Sequence, residues 1–364
     1  MLQQNAAQQT TVSQTQWRLM WRQFRRHKLA LIGLIVLVPI YFVAAFGGFF
    51  APSGSDTAHT SLPYAPPQRL NVSTEHGLFV YGFSSTRNDE TFEQTFTVDK
   101  SKIIDVGFFV HGDEYKVLGV IPSDIHLIGP TTASQPFFLL GADQSGRDLL
   151  SRLILGARVS LSIGLVGVFA SFLLGMLIGG ISGYLGGRVD NAIQRVIEFI
   201  MSIPTLPLWM ALSAALPGSW GPLTRYFAIT VILSLIGWTG LARDVRGRFL
   251  SLREEDFVMA ARLDGVGRGG IIFGHMVPSF ASHIIASVSM AVPRMILGET
   301  SLSFLGLGLQ PPAVSWGVLL EGAQNIRAVA TAPWLLTPGL AVVVVVLAMN
   351  FVGDGLRDAA DPYK

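Results

Sequence analysis

Two charged residues fall inside an apolar stretch near the C-terminal end of the chain, at residues 283–305. Charges at such a depth in a membrane are costly, and they mark a pathway, a relay or an interface. Arg294 and Glu299 are five residues apart, which places them about 140° apart on a helix and disfavours direct pairing. Pro204, in another apolar stretch, predicts a kink that either serves packing or lines a pathway. We therefore expect Pro204, Arg294 and Glu299 at a pathway or a subunit interface.

The motifs of the common enzyme classes are absent from the sequence. There is no G-x-x-x-x-G-K-[ST] phosphate loop, so we expect that the chain does not hydrolyse ATP itself. Neither H-E-x-x-H nor G-x-S-x-G occurs, the seven histidines lack metal-site spacing, and there is no cysteine. We predict no catalytic, cofactor-binding or metal-binding residue. A membrane-embedded enzyme would need more convergent groups than Glu299, Arg294 and scattered serines, and a channel would need a repeated filter or charged ring.

The stretch 251–278 is charged and lies between long apolar segments. Ser251 and Glu254 have the spacing of a capping box, which predicts that a helix begins there. Gly265 is placed to end this helix in a left-handed conformation. A second short helix then runs to about Met276, and Pro278 marks the entry to the next apolar segment. The first helix carries an apolar stripe, which either rests on the membrane surface or meets a protein partner.

Composition sets the fold class. Hydrophobic residues make up 50% of the chain and charged residues 14%, which is typical of a polytopic membrane protein. A helix crosses the bilayer with about 20 apolar residues, so the apolar stretches predict an all-α protein with six transmembrane helices. These stretches lie at 29–50, 159–185, 192–216, 226–241, 283–305 and 334–352.

Basic residues predict the orientation in the membrane. Residues 1–28 end in a basic segment without acidic residues, and the loop 243–280 holds six arginines. Positive charge is enriched on the cytoplasmic side, so both segments are expected there, together with the C-terminal tail 354–364. The apolar stretch 29–50 is too long for a usual signal-peptide core, which favours an uncleaved first transmembrane helix.

Residues 51–139 differ from the rest of the chain because they are polar and rich in turn residues. Alternating apolar residues at 91–99 and short β-type runs at 106–110 and 115–121 predict strands. We expect a small β-rich insertion on the extracytoplasmic side, and it either covers a pore mouth or docks a partner.

The loop also resembles a family motif. Ala260-Ala261, three further residues, Gly265, nine further residues and His275-Met276-Val277-Pro278 resemble the E-A-A–x3–G–x9–I-x-L-P loop of bacterial ABC-importer permeases, with Met259 at the usual glutamate. In that family the loop is the coupling helix, which docks into a groove of an ATPase subunit. The resemblance implies this role for Glu255, Phe257, Met259, Ala260, Ala261, Arg262, Gly265, His275 and Pro278.

A second string, at residues 140–161, resembles the L-G-T-D-x-x-G-R-D-x-x-S-R…G-A-R-x-S-L signature of the C-type permeases of dipeptide and oligopeptide importers, with Ala142 for the usual threonine. Strings at 299–317 and 332–362 are similar to later motifs of this family. The resemblance thus marks 140–353 as a permease core and leaves the insertion unexplained. We interpret the signature as structural, its charges pairing with each other or with a neighbouring subunit: Gly141, Asp143, Gly146, Arg147, Asp148 and Arg152.

The resemblance implies the type I ABC importer permease fold in a bacterial inner membrane. It implies a second, similar permease, two ATPase subunits that bind ATP and Mg²⁺, and an extracytoplasmic solute-binding protein. This chain itself would hold no cofactor and would contact lipid, not nucleic acid. The implied mechanism is alternating access, in which the loop moves with the ATPase dimer. Short peptides are the implied solute, with oligosaccharides or opine-like solutes as alternatives.

Overall fold

The computed structural model describes residues 16–87, 94–132 and 134–360. Three parts of the predictions lie outside the described residues: positions 1–15 of the segment 1–28, the first residues of the alternating stretch 91–99, and the Asp361-Pro362 pair that ends the string at 332–362. The N-terminal half contains α1 (Gln16–Phe24), α2 (Lys28–Ala45), α3 (Gly47–Phe50), β1 (Asn71–Ser73), β2 (Gly77–Arg87), β3 (Gln94–Val117), β4 (Ile121–Pro130) and α4 (Leu149–Leu185). The remainder contains α5 (Gly187–Ser202), α6 (Thr205–Ala214), α7 (Pro222–Leu252), α8 (Asp256–Leu263), α9 (Arg268–Gly270), α10 (Val277–Ser279), α11 (Ala281–Phe304), α12 (Trp316–Glu321), α13 (Ile326–Thr331) and α14 (Thr337–Ala360).

The described part of the chain contains helices that are long and apolar enough to cross a membrane. There are five of them, namely α2, α4, α7, α11 and the stretch Pro333–Ala360 that contains α14. A sixth crossing exists if α5 and α6, which meet at an angle of 83°, are counted as one. The predicted fold class, an all-α polytopic membrane protein with a small β-rich insertion, is confirmed.

The single kinked helix predicted at 192–216 is wrong, because the chain forms two helices there. Ile203 is extended, with φ −86° and ψ 127°, and Pro204 precedes α6. Proline has no backbone N–H and disfavours the helical conformation in the residue before it, so the first helix ends and a new one begins.

Two further boundaries differ from those predicted because helices extend beyond their apolar parts. α4 begins at Leu149 and not at residue 159, and α7 continues past Leu241 to Leu252 through an arginine-rich segment. Ser251 therefore lies in the last turn of α7, and α8 begins only after Glu255. The predicted capping box of Ser251 and Glu254 is wrong, since hydrophobicity does not mark where a helix leaves the bilayer and continues in water.

Glycines bring the long helices into backbone contact. A Cβ atom at Gly179 of α4 would lie 2.4 Å from the carbonyl oxygen of Ala242 on α7. A Cβ atom at Gly33 of α2 would lie 2.5 Å from the carbonyl oxygen of Ala348 on α14. Small residues allow this close approach where lipid gives no hydrophobic drive for helix association. The glycine-rich spans therefore fix the helix positions in the bundle.

The insertion folds as one antiparallel sheet with the order β1-β2-β3-β4. The strand predicted at 115–121 is wrong, because Leu118, Gly119 and Val120 form the turn between β3 and β4, with Leu118 and Gly119 at positive φ. The sheet joins the bundle through His126, whose Nδ1 lies 2.6 Å from the carbonyl oxygen of Ala51. We call this end of the bundle the sheet end, and the opposite end, which carries residues 253–280, the loop end.

A buried group of charges, which we call the Asp143 knot (Asp143, Arg147 and Arg152), closes the sheet end. The Asp143 carboxylate accepts a hydrogen bond from Nε of Arg147 at 2.8 Å and another from Nη1 of Arg152. The Arg152 side chain is only 4% exposed. The predicted pairing of these charges with each other is present inside one chain.

Backbone geometry and a helix cap complete the signature segment. Gly141 and Gly146 have φ of +80° and +75°, a conformation that favours glycine. Asp148 precedes α4, and its Oδ2 accepts hydrogen bonds from the backbone N–H of Ser151 at 2.7 Å and from its hydroxyl at 2.5 Å. Burial raises the pKa of Asp148 to about 6, although the bonds from Ser151 act in the opposite direction.

We expect Asp143→Asn to destabilise the protein by about 3–5 kcal/mol, because it leaves the buried Arg152 without its counter-ion. The measurement is thermal unfolding of the purified chain in detergent. Glu198→Gln is the matched control, since Glu198 pairs with Arg195 at the surface and exposed pairs add little stability. Equal unfolding temperatures for Asp143→Asn and the control would show that the Asp143 knot does not hold this end together.

Candidate functional site

The helix α8 lies on a cluster of buried apolar side chains at the loop end, which we call the platform. Val258 and Ala261, three residues apart, are buried in a cluster with Val245 and Phe249 of α7 and with Met276. This spacing puts both side chains on one face of the helix. The platform ties α8 firmly to the end of α7.

The other faces of α8 present apolar side chains outward. Phe257 is 40% exposed, Met259 45% and Leu263 88%, and Phe273, in the run that follows α8, is 56% exposed. Exposed apolar groups that are rimmed by polar residues mark interaction sites. α8 is therefore anchored to the bundle on one face and presents an apolar surface on its others.

The left-handed cap predicted at Gly265 is confirmed. Gly265 has φ +76°, its N–H donates to the carbonyl of Arg262 at 3.1 Å, and the N–H of Val266 donates to the carbonyl of Ala261 at 3.1 Å. These two bonds are those of a Schellman motif. The chain reverses sharply here, so α8 is held short and its end stays exposed.

The remaining loop residues surround α8. Glu255 precedes the helix and is exposed, as are Ala260 and Arg262, and the Arg262 guanidinium lies 5.2 Å from the centroid of the Tyr184 ring. The predicted second helix is a run of α9, a wider turn at Ile271–Met276 and α10. His275 and Pro278 are exposed on this run, so the structure brings the predicted loop residues to one end of the bundle.

An ion pair that the sequence did not reveal holds the loop end together. The Asp190 carboxylate on α5 accepts two hydrogen bonds, each of 2.5 Å, from the guanidinium of Arg246 on α7. The Ser182 hydroxyl of α4 donates to the same carboxylate at 2.5 Å. Asp190 gave no signal because its partner lies 56 residues away; Arg246 entered the sequence argument only as one of the loop arginines.

Glu299 does not line a pathway or a surface of this chain. It is fully buried, and its carboxylate accepts hydrogen bonds from the hydroxyls of Ser160 at 3.1 Å, Ser303 at 2.9 Å and Ser315 at 2.7 Å. The three donors come from α4, α11 and the segment before α12. The predicted place of Glu299 at a pathway or subunit interface is therefore wrong for this conformation, because serines from distant parts of the chain satisfy the carboxylate internally.

Arg294 has the opposite environment. It is exposed and lines a cavity of about 450 Å³ together with Trp209, Asp244 and Ser287. Thr205, next to Pro204, also lines this cavity. The cavity lies between α4, α6, α7 and α11. The described residues contain no group of three or more histidine, aspartate or glutamate side chains that could hold a metal ion.

Comparison with known proteins places the chain in a family. Residues 175–363 match the family described as binding-protein-dependent transport system inner membrane component, and residues 15–67 match the N-terminal TM domain of oligopeptide transport permease C. The chain is 40% identical to the oligopeptide transport system permease protein OppC of Haemophilus influenzae over 242 residues, which is 66% of this chain and 75% of that protein. It is 36% identical to the dipeptide transport system permease protein DppC of Bacillus subtilis over 344 residues, which is 94% of this chain and 84% of that protein.

Among solved structures, an inward-facing crystal form of the MetNI methionine ABC transporter has 18% sequence identity and a TM-score of 0.45, over 58% of this chain and 96% of that chain. The family assignment rests on the sequence matches alone. They agree with the resemblance of the loop at 255–278 and of the signature at 140–161. The chain therefore belongs to the family of inner-membrane components of binding-protein-dependent transport systems, in its C-type oligopeptide and dipeptide permease branch.

Proposed function

We propose that the chain forms one part of the translocation pathway of an ATP-driven importer of short peptides. The observation that carries this proposal is α8, which exposes Phe257, Met259 and Leu263 while Val258 and Ala261 anchor it to the platform. The relatives named OppC and DppC are oligopeptide and dipeptide permeases. Oligosaccharides or opine-like solutes are the alternative cargo.

The proposed partner at the loop end is an ATPase subunit. The exposed residues of α8 enter a groove on that subunit, and the platform passes its movement to α7. Two such subunits bind ATP and Mg²⁺ and hydrolyse the nucleotide, while this chain holds no cofactor. A second permease of similar fold, either another chain or a second copy, completes the pathway.

The proposed orientation puts the loop end and both termini in the cytoplasm. Met20 and Phe24 of α1 are buried against Ala359 near the end of α14, so the two ends of the described chain lie on one side of the bundle. The basic segment before α2 and the arginines of the loop share that side, as the enrichment of positive charge in the cytoplasm requires. The sheet then faces the outside, where it meets a solute-binding protein or covers the pathway.

The function is tested by reconstituting the chain with the proteins encoded beside it. We expect the solute-binding protein to retain short peptides and the complete complex to take them up with ATP. The isolated chain is expected to release phosphate only at background level, because it has no phosphate loop. Robust ATP turnover by the isolated chain, or uptake of sugars without peptides, would contradict the proposal.

The orientation is tested by cysteine labelling, since the chain contains no cysteine. Thr74 is exposed on the sheet and Ser251 is exposed at the end of α7. We expect Thr74→Cys to react with a membrane-impermeant thiol reagent in intact spheroplasts, and Ser251→Cys to react only after lysis. The reverse pattern would invert the proposed orientation.

We expect Gly265→Asp to abolish coupling while leaving the fold intact. An added Cβ atom meets no heavy atom within 4 Å, and a residue other than glycine at positive φ costs on the order of 1 kcal/mol. The new carboxylate, however, is desolvated when α8 docks and lies beside Asp264. Thermal stability, ATPase co-purification and peptide uptake are measured on the same preparation.

Gly265→Asn is the matched control for this variant. Asparagine tolerates the left-handed conformation and adds no charge, so it should retain most of the uptake. If Gly265→Asp also takes up peptide at the natural rate with the ATPase bound, α8 is not the coupling element. If both variants fail equally, the backbone conformation and not the charge is responsible.

A further inference from the structure

The cavity beside Arg294 is lined by one face of each of two long helices. On α7 the lining residues Leu233, Gly237, Leu241 and Asp244 recur every three or four positions, and on α11 Ser287, Ala291 and Arg294 do the same. This is the spacing of a helix face. A face that mixes charged, hydroxyl and glycine positions on two membrane-crossing helices does not suit contact with lipid.

The guanidinium group that lines this cavity lacks an acceptor in the described part of the chain. Within residues 16–87, 94–132 and 134–360, the guanidinium of Arg294 has no hydrogen-bond or ion-pair partner. The indole N–H of Trp209 also has no partner, but its nitrogen is itself buried and does not open onto the cavity. Arginine stays charged at all relevant pH values and offers a planar fork that matches a carboxylate. The unpaired guanidinium of Arg294 in this cavity calls for an oxygen acceptor from outside the chain.

The cavity also contains a group of the opposite charge. Asp244 lines it, yet it forms no ion pair with Arg294 in the described part of the chain. The two charges stay apart although they face the same space of about 450 Å³, a volume within the range of small-molecule sites. Separated charges of opposite sign are complementary to a solute that carries an ammonium group at one end and a carboxylate at the other.

We propose that Arg294 binds the terminal carboxylate of the solute as it passes through the bundle, and that Asp244 attracts its ammonium group. This inference rests on the proposed peptide import, and it identifies which feature of a peptide the permease itself reads. The charged termini are common to all peptides, so the site accepts any side-chain sequence and still rejects solutes without a carboxylate.

The test is a cycle of two solutes and two permeases in the reconstituted complex. Uptake of a short peptide with a free carboxylate is compared with uptake of the same peptide amidated at its C-terminus, for the natural chain and for Arg294→Gln. Any preference of the solute-binding protein is shared by both permeases and cancels in the ratio. We expect the natural permease to favour the free carboxylate about ten- to a hundredfold more than Arg294→Gln does, as expected for loss of a hydrogen bond to a charged group.

Three further variants, two tests and one control, extend this comparison. Arg294→Lys keeps the charge and should restore part of the preference, and Asp244→Asn should abolish the preference for a free over an acetylated N-terminus. Arg195→Gln is the control, since Arg195 is an exposed arginine that pairs with Glu198 outside the cavity, and it should change neither ratio.

The outcomes separate this inference from the proposed function. If the natural complex imports peptides and Arg294→Gln lowers uptake of both solutes equally, the carboxylate assignment is overturned. If Arg294→Gln prevents the two permeases from co-purifying, Arg294 pairs with the partner subunit and the inference is also overturned. If the natural complex hydrolyses ATP but imports neither form of the peptide, the proposed function itself fails.

Discussion

The hydrocarbon interior of a membrane offers no hydrogen bonds, so each polar group placed there must find a partner within the protein or in the solute. Glu299 meets this constraint through three serine hydroxyls, and it ties α4, α11 and the segment before α12 together. Arg294, on the same helix, does not meet it within the described chain. The contrast divides the charges of α11 into one that builds the bundle and one that is left available for something that enters it.

The loop end and the cavity share two rigid elements. α7 runs from the cavity-lining Leu233 and Asp244 to Phe249 in the platform under α8, and α11 runs from the buried Ile284 at the platform to Arg294 in the cavity. The Asp190–Arg246 pair holds α5 to α7 along this path. α7 and α11 therefore connect the platform under α8 directly to the walls of the cavity. The break at Pro204 separates α6, which carries Trp209, from α5.

Much of the fold could be predicted because the solvent dictates it. Long apolar stretches identified the membrane helices, and Gly265 was correctly placed at positive φ because only a helix end requires such a residue there. The predicted helix boundaries were wrong where a helix continues beyond its apolar residues, as at Ser251, which lies inside α7. The prediction missed the turn at Leu118–Val120, because the ends of two strands and the short turn between them look like a single strand in the sequence.

The partners in buried hydrogen bonds and ion pairs could not be predicted, because they lie far apart in the sequence. Ser160 reaches Glu299 across 139 positions, and Arg246 reaches Asp190 across 56. Local patterns carry no record of such pairs. The Asp143 knot was the exception, since its members lie within nine residues of each other in a segment whose charges alternate. The loop at 255–278 could be recognised by its motif, whereas the residues that anchor it had to be found in the structure.

The unpaired state of Arg294 also fits the task of a pathway. A transport site must bind its solute strongly enough to admit it and weakly enough to release it. A single charge-assisted contact contributes about 1.5–3 kcal/mol, which selects a carboxylate without trapping it. A permanent internal partner would have to be displaced by each solute, at the full cost of leaving a buried charge unpaired. Placing the carboxylate Glu299 five residues away, on another side of α11 and saturated by serines, keeps it from becoming that partner.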